Sequence, residues 1–309
     1  MERMAVPDRA SPEAVEPSPG RGIAVLDPVP PVAMVIAAAM SIQFGAAIGA
    51  TLFDDVGAAG ASMLRLLFAA VILAALWRPR IRAHSRAALR LAVLYGLTLG
   101  FMNLFFYEAL ARIPLGVAVT IEFIGPVGVA VVLSRRPLDL VWVALAVAGI
   151  LLLADPFGAG GIDPAGLAFV LGAAACWAAY IVIAQRATRV FSGSTGLAFA
   201  AIVAALVPLG PGLAEGGADL LVPATLLAGL AVAVLSSVIP YTLETESLRR
   251  MPANVFGVLM SLEPAVAAVA GFLVLGQRLG ARDLVAIGLV MAASIGVTRT
   301  TAPPPPVDA

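Results

Sequence analysis

Between residues 31 and 299 the chain passes through ten apolar windows in succession. They cover residues 31–53, 57–77, 88–110, 115–133, 138–154, 164–185, 194–214, 222–248, 253–275 and 282–299. A helix needs roughly 20 mostly apolar residues to cross a bilayer, and most of these runs have that length. One such run does not distinguish a spanning helix from a buried one; ten in a row do. The runs are continuous, whereas a membrane β-barrel would alternate over segments of about ten residues. Composition agrees. The chain is 61% hydrophobic and 12% charged, with a mean hydropathy of +1.01, against about half apolar and a quarter charged for a soluble domain. The expected fold is an all-α membrane protein with ten transmembrane helices. A net charge of zero gives no basis for nucleic-acid binding.

Residues 1–30 are rich in Pro, Ala and Glu, lack periodicity and read as a disordered tail. They are too polar for a signal peptide, so the first apolar run reads as a retained anchor. Residues 300–309, with successive prolines from Pro303 to Pro306, read as a second tail, because proline cannot continue a helix.

Every basic side chain other than His84 is an arginine, and arginines set orientation. With the N-terminus in the cytoplasm, fifteen arginines fall on the inner side and three (Arg112, Arg278, Arg282) on the outer side. The expected topology therefore has both termini in the cytoplasm.

The chain also repeats itself. At an offset of 138 residues, Glu108-Ala-Leu-Ala-Arg-Ile-Pro114 lies over Glu246-Ser-Leu-Arg-Arg-Met-Pro252, and Pro126 over Pro264. Two five-helix halves follow, at 31–154 and 164–299. Five is odd, so the second half enters the membrane from the opposite side. Such inverted repeats are common in secondary transporters, whose sites lie near the midplane between the halves.

An ionisable group at the bilayer centre costs about 2.5–3.5 kcal/mol on insertion scales and marks a functional candidate. Glu263 lies roughly ten residues into the ninth window, about 15 Å deep at 1.5 Å per residue. Pro264 beside it removes a backbone hydrogen bond, and freed carbonyls are tolerated where they line a cavity. Glu263 reads as a substrate-ammonium or proton site, or as a protonated side chain that fixes packing. Glu122 and Arg65 share a depth in windows four and two. They read as contacts for the ammonium and carboxylate of an α-amino acid, or as an internal ion pair. Gln43 and Asn103 are candidates for the pocket or for interhelical hydrogen bonds. Tyr241 is the repeat counterpart of Asn103 and follows Pro240, a third expected kink beside Pro126 and Pro264. Trp177 and Tyr180 read as packing or pocket lining. Glu108, Glu244 and Glu246 lie near helix ends, where water is close. Gly45 with Gly49, and Gly96 with Gly100, have the spacing that lets helix backbones approach. The lone Cys176 excludes an intramolecular disulfide and a cysteine metal site, and His84 reads as a solvated loop residue. No metal or cofactor is expected.

The stretch Met260-Ser-Leu-Glu-Pro-Ala-Val-Ala-Ala268, followed by Leu275-Gly276-Gln277, resembles the EamA branch of the drug/metabolite transporter superfamily, which usually carries Gly-Glu where this chain has Gly276-Gln277. Ile239-Pro-Tyr-Thr-Leu-Glu244, Ile121-Glu-Phe-Ile-Gly-Pro126 and Ser134-Arg-Arg-Pro137 are similar to its inner-membrane threonine/homoserine exporter subgroup. The resemblance covers roughly residues 31–299. It implies ten helices and export of small amino acids coupled to the proton gradient.

The reading is thus a secondary-active exporter of small amino acids, working by proton antiport with alternating access. Its expected partners are a small-molecule substrate, protons and membrane lipids. An efflux carrier for another small metabolite or drug, and a non-transporting membrane scaffold, stay open. A membrane enzyme finds no support: the chain holds no H-E-x-x-H and no G-x-S-x-G motif.

Overall fold

A computed structural model of the chain describes residues 28–134, 139–154, 162–191 and 195–300. Most of both expected tails, and Arg135–Pro137 of the Ser134–Pro137 stretch, lie outside the described residues. Among the described residues the regular structure is helical and no strand occurs. The helices are α1 (Pro31–Ala50), α2 (Phe53–Trp77), α3 (Arg86–Leu110), α4 (Leu115–Glu122), α5 (Ile124–Ser134), α6 (Asp139–Ala154) and α7 (Pro164–Val190). They continue as α8 (Thr195–Leu206), α9 (Leu209–Gly216), α10 (Pro223–Ala233), α11 (Ile239–Arg250), α12 (Ala253–Met260), α13 (Glu263–Leu275) and α14 (Ala281–Thr300).

By length and apolar character, six segments suit a bilayer: Pro31–Ala50, Phe53–Trp77, Arg86–Leu110, Pro164–Val190, Pro223–Leu248 and Val255–Leu275. A seventh is the pair Thr195–Leu206 and Leu209–Leu221, bent by 47°. Leu115–Val129 and Leu140–Leu153 are shorter apolar helices. Large apolar side chains such as Val71, Leu227, Phe272, Leu273 and Val285 stand exposed on the outside. In water they would form adhesive patches; against lipid tails they are at no disadvantage.

Breaks fall where the backbone loses a donor. Proline lacks an N–H and cannot bond the carbonyl four residues back. Pro126 thereby frees the carbonyl of Glu122, Pro240 that of Ser236, and Pro264 that of Met260. One residue, Phe123, separates α4 from α5, and Ser261 and Leu262 separate α12 from α13. Ahead of Pro240 the chain widens into a π-helical turn, Val234–Val238, where the Ile239 N–H bonds the Val234 carbonyl.

Matching local geometry recurs 138 residues apart. The bounds of α4 and α12 differ by that offset at both ends. Glu108 pairs with Arg112 at 2.7 Å one helical turn on, and Glu246 pairs with Arg250 in the same way. Pro114 and Pro252 then start the next helices with nearly the same backbone, φ −59° ψ 144° and φ −60° ψ 141°. Glu246 itself is buried, with its carboxylate held by Arg250 in the last turn of α11. His84 likewise is half-buried, with its ring 5.0 Å from that of Phe191 and 5.4 Å from that of Phe199.

Small residues form the seams. A Cβ on Gly96 or Gly100 would run into the Ala200 and Ala204 carbonyls and the Val203 and Val207 side chains, so this pair sets the α3–α8 contact. Gly45 sits where a Cβ would meet Ser236 Oγ and Leu235 Cβ, which brings α1 against the π-helical turn. In α2, Gly57 takes φ +71°, a conformation glycine adopts without strain. Two residues on from it, the Ala59 N–H donates to Glu215 Oε2 at 2.9 Å.

Candidate functional site

Where the broken helices meet, a cavity of about 340 Å³ opens between them. That is the low end of the roughly 300–1,000 Å³ of small-molecule pockets. All six polar residues singled out in the sequence line it: Gln43 from α1, Arg65 from α2, Asn103 from α3, Glu122 from α4, Tyr241 from α11 and Glu263 from α13. Of the three prolines, Pro126 reaches the wall. Phe106, Phe123, Trp177 and Phe256 supply apolar surface, with Phe123 edge-on to Trp177 at 5.1 Å.

Arg65 is the single basic residue on the wall among the described residues. Its Nη2 donates to the Ser236 carbonyl at 3.0 Å, the acceptor that Pro240 leaves free. The neighbouring Leu235 carbonyl, bypassed by the π-helical bond, accepts from Ser41 Oγ at 2.6 Å. Helices α1 and α2 thus satisfy the two carbonyls opened by the turn. The guanidinium also lies 5.6 Å from the Tyr107 ring centre, and its Nε is buried without a partner. Among the described residues no ion pair joins Arg65 to Glu122. Both face the cavity, with Arg65 held back by the α10–α11 backbone.

The two acids first noted occupy opposite helix poles. Glu122 is the last residue of α4, where unpaired carbonyls concentrate negative potential; Glu263 opens α13, where unpaired N–H groups concentrate positive potential. Gln43 Nε2 donates to Glu263 Oε2 at 3.2 Å. The remaining oxygens, Gln43 Oε1 and Glu263 Oε1, are buried and have no partner. Asn103 Nδ2 is committed to the Leu99 carbonyl at 2.8 Å.

The structure adds residues that the sequence placed elsewhere. Glu244 lines the cavity from the middle of α11. The signal was its spacing: it follows Tyr241 by three residues, which puts both on one face of α11. Trp177 and Tyr180 of α7 line the cavity as well as pack. Ser294 and Thr298 of α14, four residues apart, complete the wall. Gln277, at the family's Gly-Glu position, is not on the wall; its Oε1 accepts the Leu115 N–H at 3.0 Å and caps the start of α4.

An arrangement with one guanidinium, three carboxyl groups and neutral donors and acceptors around an apolar floor suits a small zwitterion. The EamA-like transporter family matches residues 164–299. The threonine/homoserine exporter RhtA of Escherichia coli K12 is 44% identical over 273 residues, which is 87% of this chain and 92% of that protein. The RhtA of Salmonella typhimurium LT2 is 43% identical over the same extent. A crystal structure at 18% identity superposes with a TM-score of 0.53 over 85% of this chain and 97% of its own, which shows a shared fold. On this identity and coverage, the chain belongs to the EamA-like transporter family, together with the RhtA exporters.

Proposed function

We propose that the protein is a secondary-active exporter of small amino acids of the threonine/homoserine kind, in the inner membrane, working by proton antiport with alternating access. The observation that carries this is the 44% identity to a threonine/homoserine exporter across 92% of its length. The cavity supports it. Arg65 offers donors to a carboxylate, and Glu122, Glu244 and Glu263 offer acceptors to an ammonium.

The architecture we propose has ten spans in two inverted five-helix repeats and both termini in the cytoplasm. The 138-residue recurrence of α4, of the Glu–Arg pairs and of the proline-started helices supports the repeat. In the outward state a proton occupies Glu122 or Glu263. In the inward state its release leaves a carboxylate for the substrate ammonium. Proton and substrate then exclude one another at the same group, which is the condition for antiport. The broken helices form the site, and in such transporters one repeat rocks against the other around it.

Counterflow in proteoliposomes, with labelled threonine and homoserine and with or without a pH gradient, tests this. Flux of both, driven outward by the gradient, is expected. A folded preparation with no flux of either amino acid overturns the substrate; flux indifferent to the gradient overturns the antiport.

A further inference from the structure

Two hydroxyl groups on the cavity wall have already spent their hydrogens. Ser261 Oγ lies 2.9 Å from the Gly257 carbonyl and 2.7 Å from Ser294 Oγ. A hydroxyl has one hydrogen and two lone pairs. The carbonyl cannot donate, so the Ser261 hydrogen must lie on that contact. Ser294 must then give its own hydrogen to Ser261. One turn along α14, Thr298 Oγ1 donates to the Ser294 carbonyl at 2.7 Å. Ser294 and Thr298 both line the cavity. Each hydroxyl has lone pairs alone left to offer a partner.

From this we infer that Ser294 and Thr298 are the specificity-determining residues for a side-chain hydroxyl on the substrate, acting as acceptors for its hydrogen. The inference rests on the amino-acid export reading and deepens it. The placement fits. Helix α14 packs against α4, α5, α6, α12 and α13, whereas α2, which carries Arg65, packs against α1, α3, α8, α9 and α10. A zwitterion with its carboxylate at Arg65 directs its side chain away from the α2 wall and toward α14. There a methyl group in place of the hydroxyl leaves two acceptors dry and unpaired, which is how a polar pocket rejects an apolar isostere. Ser261 is a positioning residue: it touches no substrate, but it holds the Ser294 hydrogen out of the cavity.

The test is competition in counterflow, with threonine against its isostere valine and homoserine against 2-aminopentanoate. The wild type is expected to prefer the hydroxylated member of each pair. In Ser294→Ala combined with Thr298→Val that preference should fall about three- to tenfold, the size of a neutral hydrogen bond. Thr298→Val alone, which preserves shape, should lower it in the same direction and serves if the double variant does not fold. In Ser261→Ala, Ser294 regains a hydrogen to offer, and acceptor-bearing analogues such as the O-methyl ether of homoserine should gain against homoserine. Equal losses for both members of a pair would mean that these oxygens bind the common ammonium, and would overturn the inference while leaving export intact. Wild-type liposomes that move none of the four amino acids overturn the export reading, and the inference with it.

Discussion

Arg65 on α2 donates to the carbonyl of Ser236 on the π-helical turn, at 3.0 Å, and that carbonyl is free because the residue four positions on is Pro240. A buried charge and a broken helix are here each other's remedy. The guanidinium gains an acceptor in an apolar setting, and the carbonyl gains a donor that proline cannot supply.

This link predicts a thermodynamic coupling. Arg65→Met removes a hydrogen bond from a charged donor and should lower stability by about 1.5–3 kcal/mol. Pro240→Ala restores a backbone N–H able to serve the Ser236 carbonyl. In the double variant part of the loss should therefore return. Thermal unfolding in detergent of the two single variants and the double variant measures this, and strictly additive effects would argue against the link.

Glu263 carries a second prediction. It shares one hydrogen bond with Gln43 and leaves one oxygen buried and unpaired. Glu263→Gln retains shape and hydrogen bonding but cannot exchange a proton. Accumulation driven by a pH gradient should be abolished, and counterflow without a gradient should suffer less. If gradient-driven accumulation survives in both Glu263→Gln and Glu122→Gln, neither acid carries the coupled proton.

Gln277 predicts a purely structural effect. Its Oε1 accepts the Leu115 N–H at the start of α4. Gln277→Ala leaves that N–H open and should cost about 0.5–2 kcal/mol, as lost helix caps do. Gln277→Glu keeps an acceptor, and a negative charge at a helix start is favourable. It should unfold at or above the wild-type temperature, with transport unaffected. A transport defect specific to Gln277→Glu would place the position in the mechanism after all.

Gly45 predicts a packing limit. A Cβ there would meet Ser236 Oγ and Leu235 Cβ, the residues of the turn that α1 and α2 hold. Gly45→Ala should destabilise by about 1–3 kcal/mol through overpacking. Gly288→Ala, inside α14 where a Cβ meets nothing within 4 Å, should keep or raise the melting temperature in the same assay.

Much of this protein was determined by sequence alone, because the determinants are local. Long apolar runs have one stable form in lipid, a helix whose backbone is bonded internally. Prolines mark the carbonyls that lose their donors wherever the chain goes. The repeat is legible because Glu-x-x-x-Arg followed by proline is a complete local device: an ion pair one turn apart, then a restarted helix. Tertiary structure decided what depends on rotation about a helix axis and on neighbours. Depth along a helix put Arg65 and Glu122 at one level, but only packing turned Arg65 to the Ser236 carbonyl instead of into an ion pair with Glu122. Counting from a helix end put Glu244 near water, and only the turn of α11 put it on the cavity wall. The hydrogen bond that leaves Ser294 as an acceptor joins the α12–α13 break to α14, more than thirty residues apart at Ser261 and Ser294, whereas that of Thr298 is local, one turn back along α14. No spacing rule reaches across that distance, because the direction of a hydroxyl hydrogen is set by whichever acceptor the fold brings beside it.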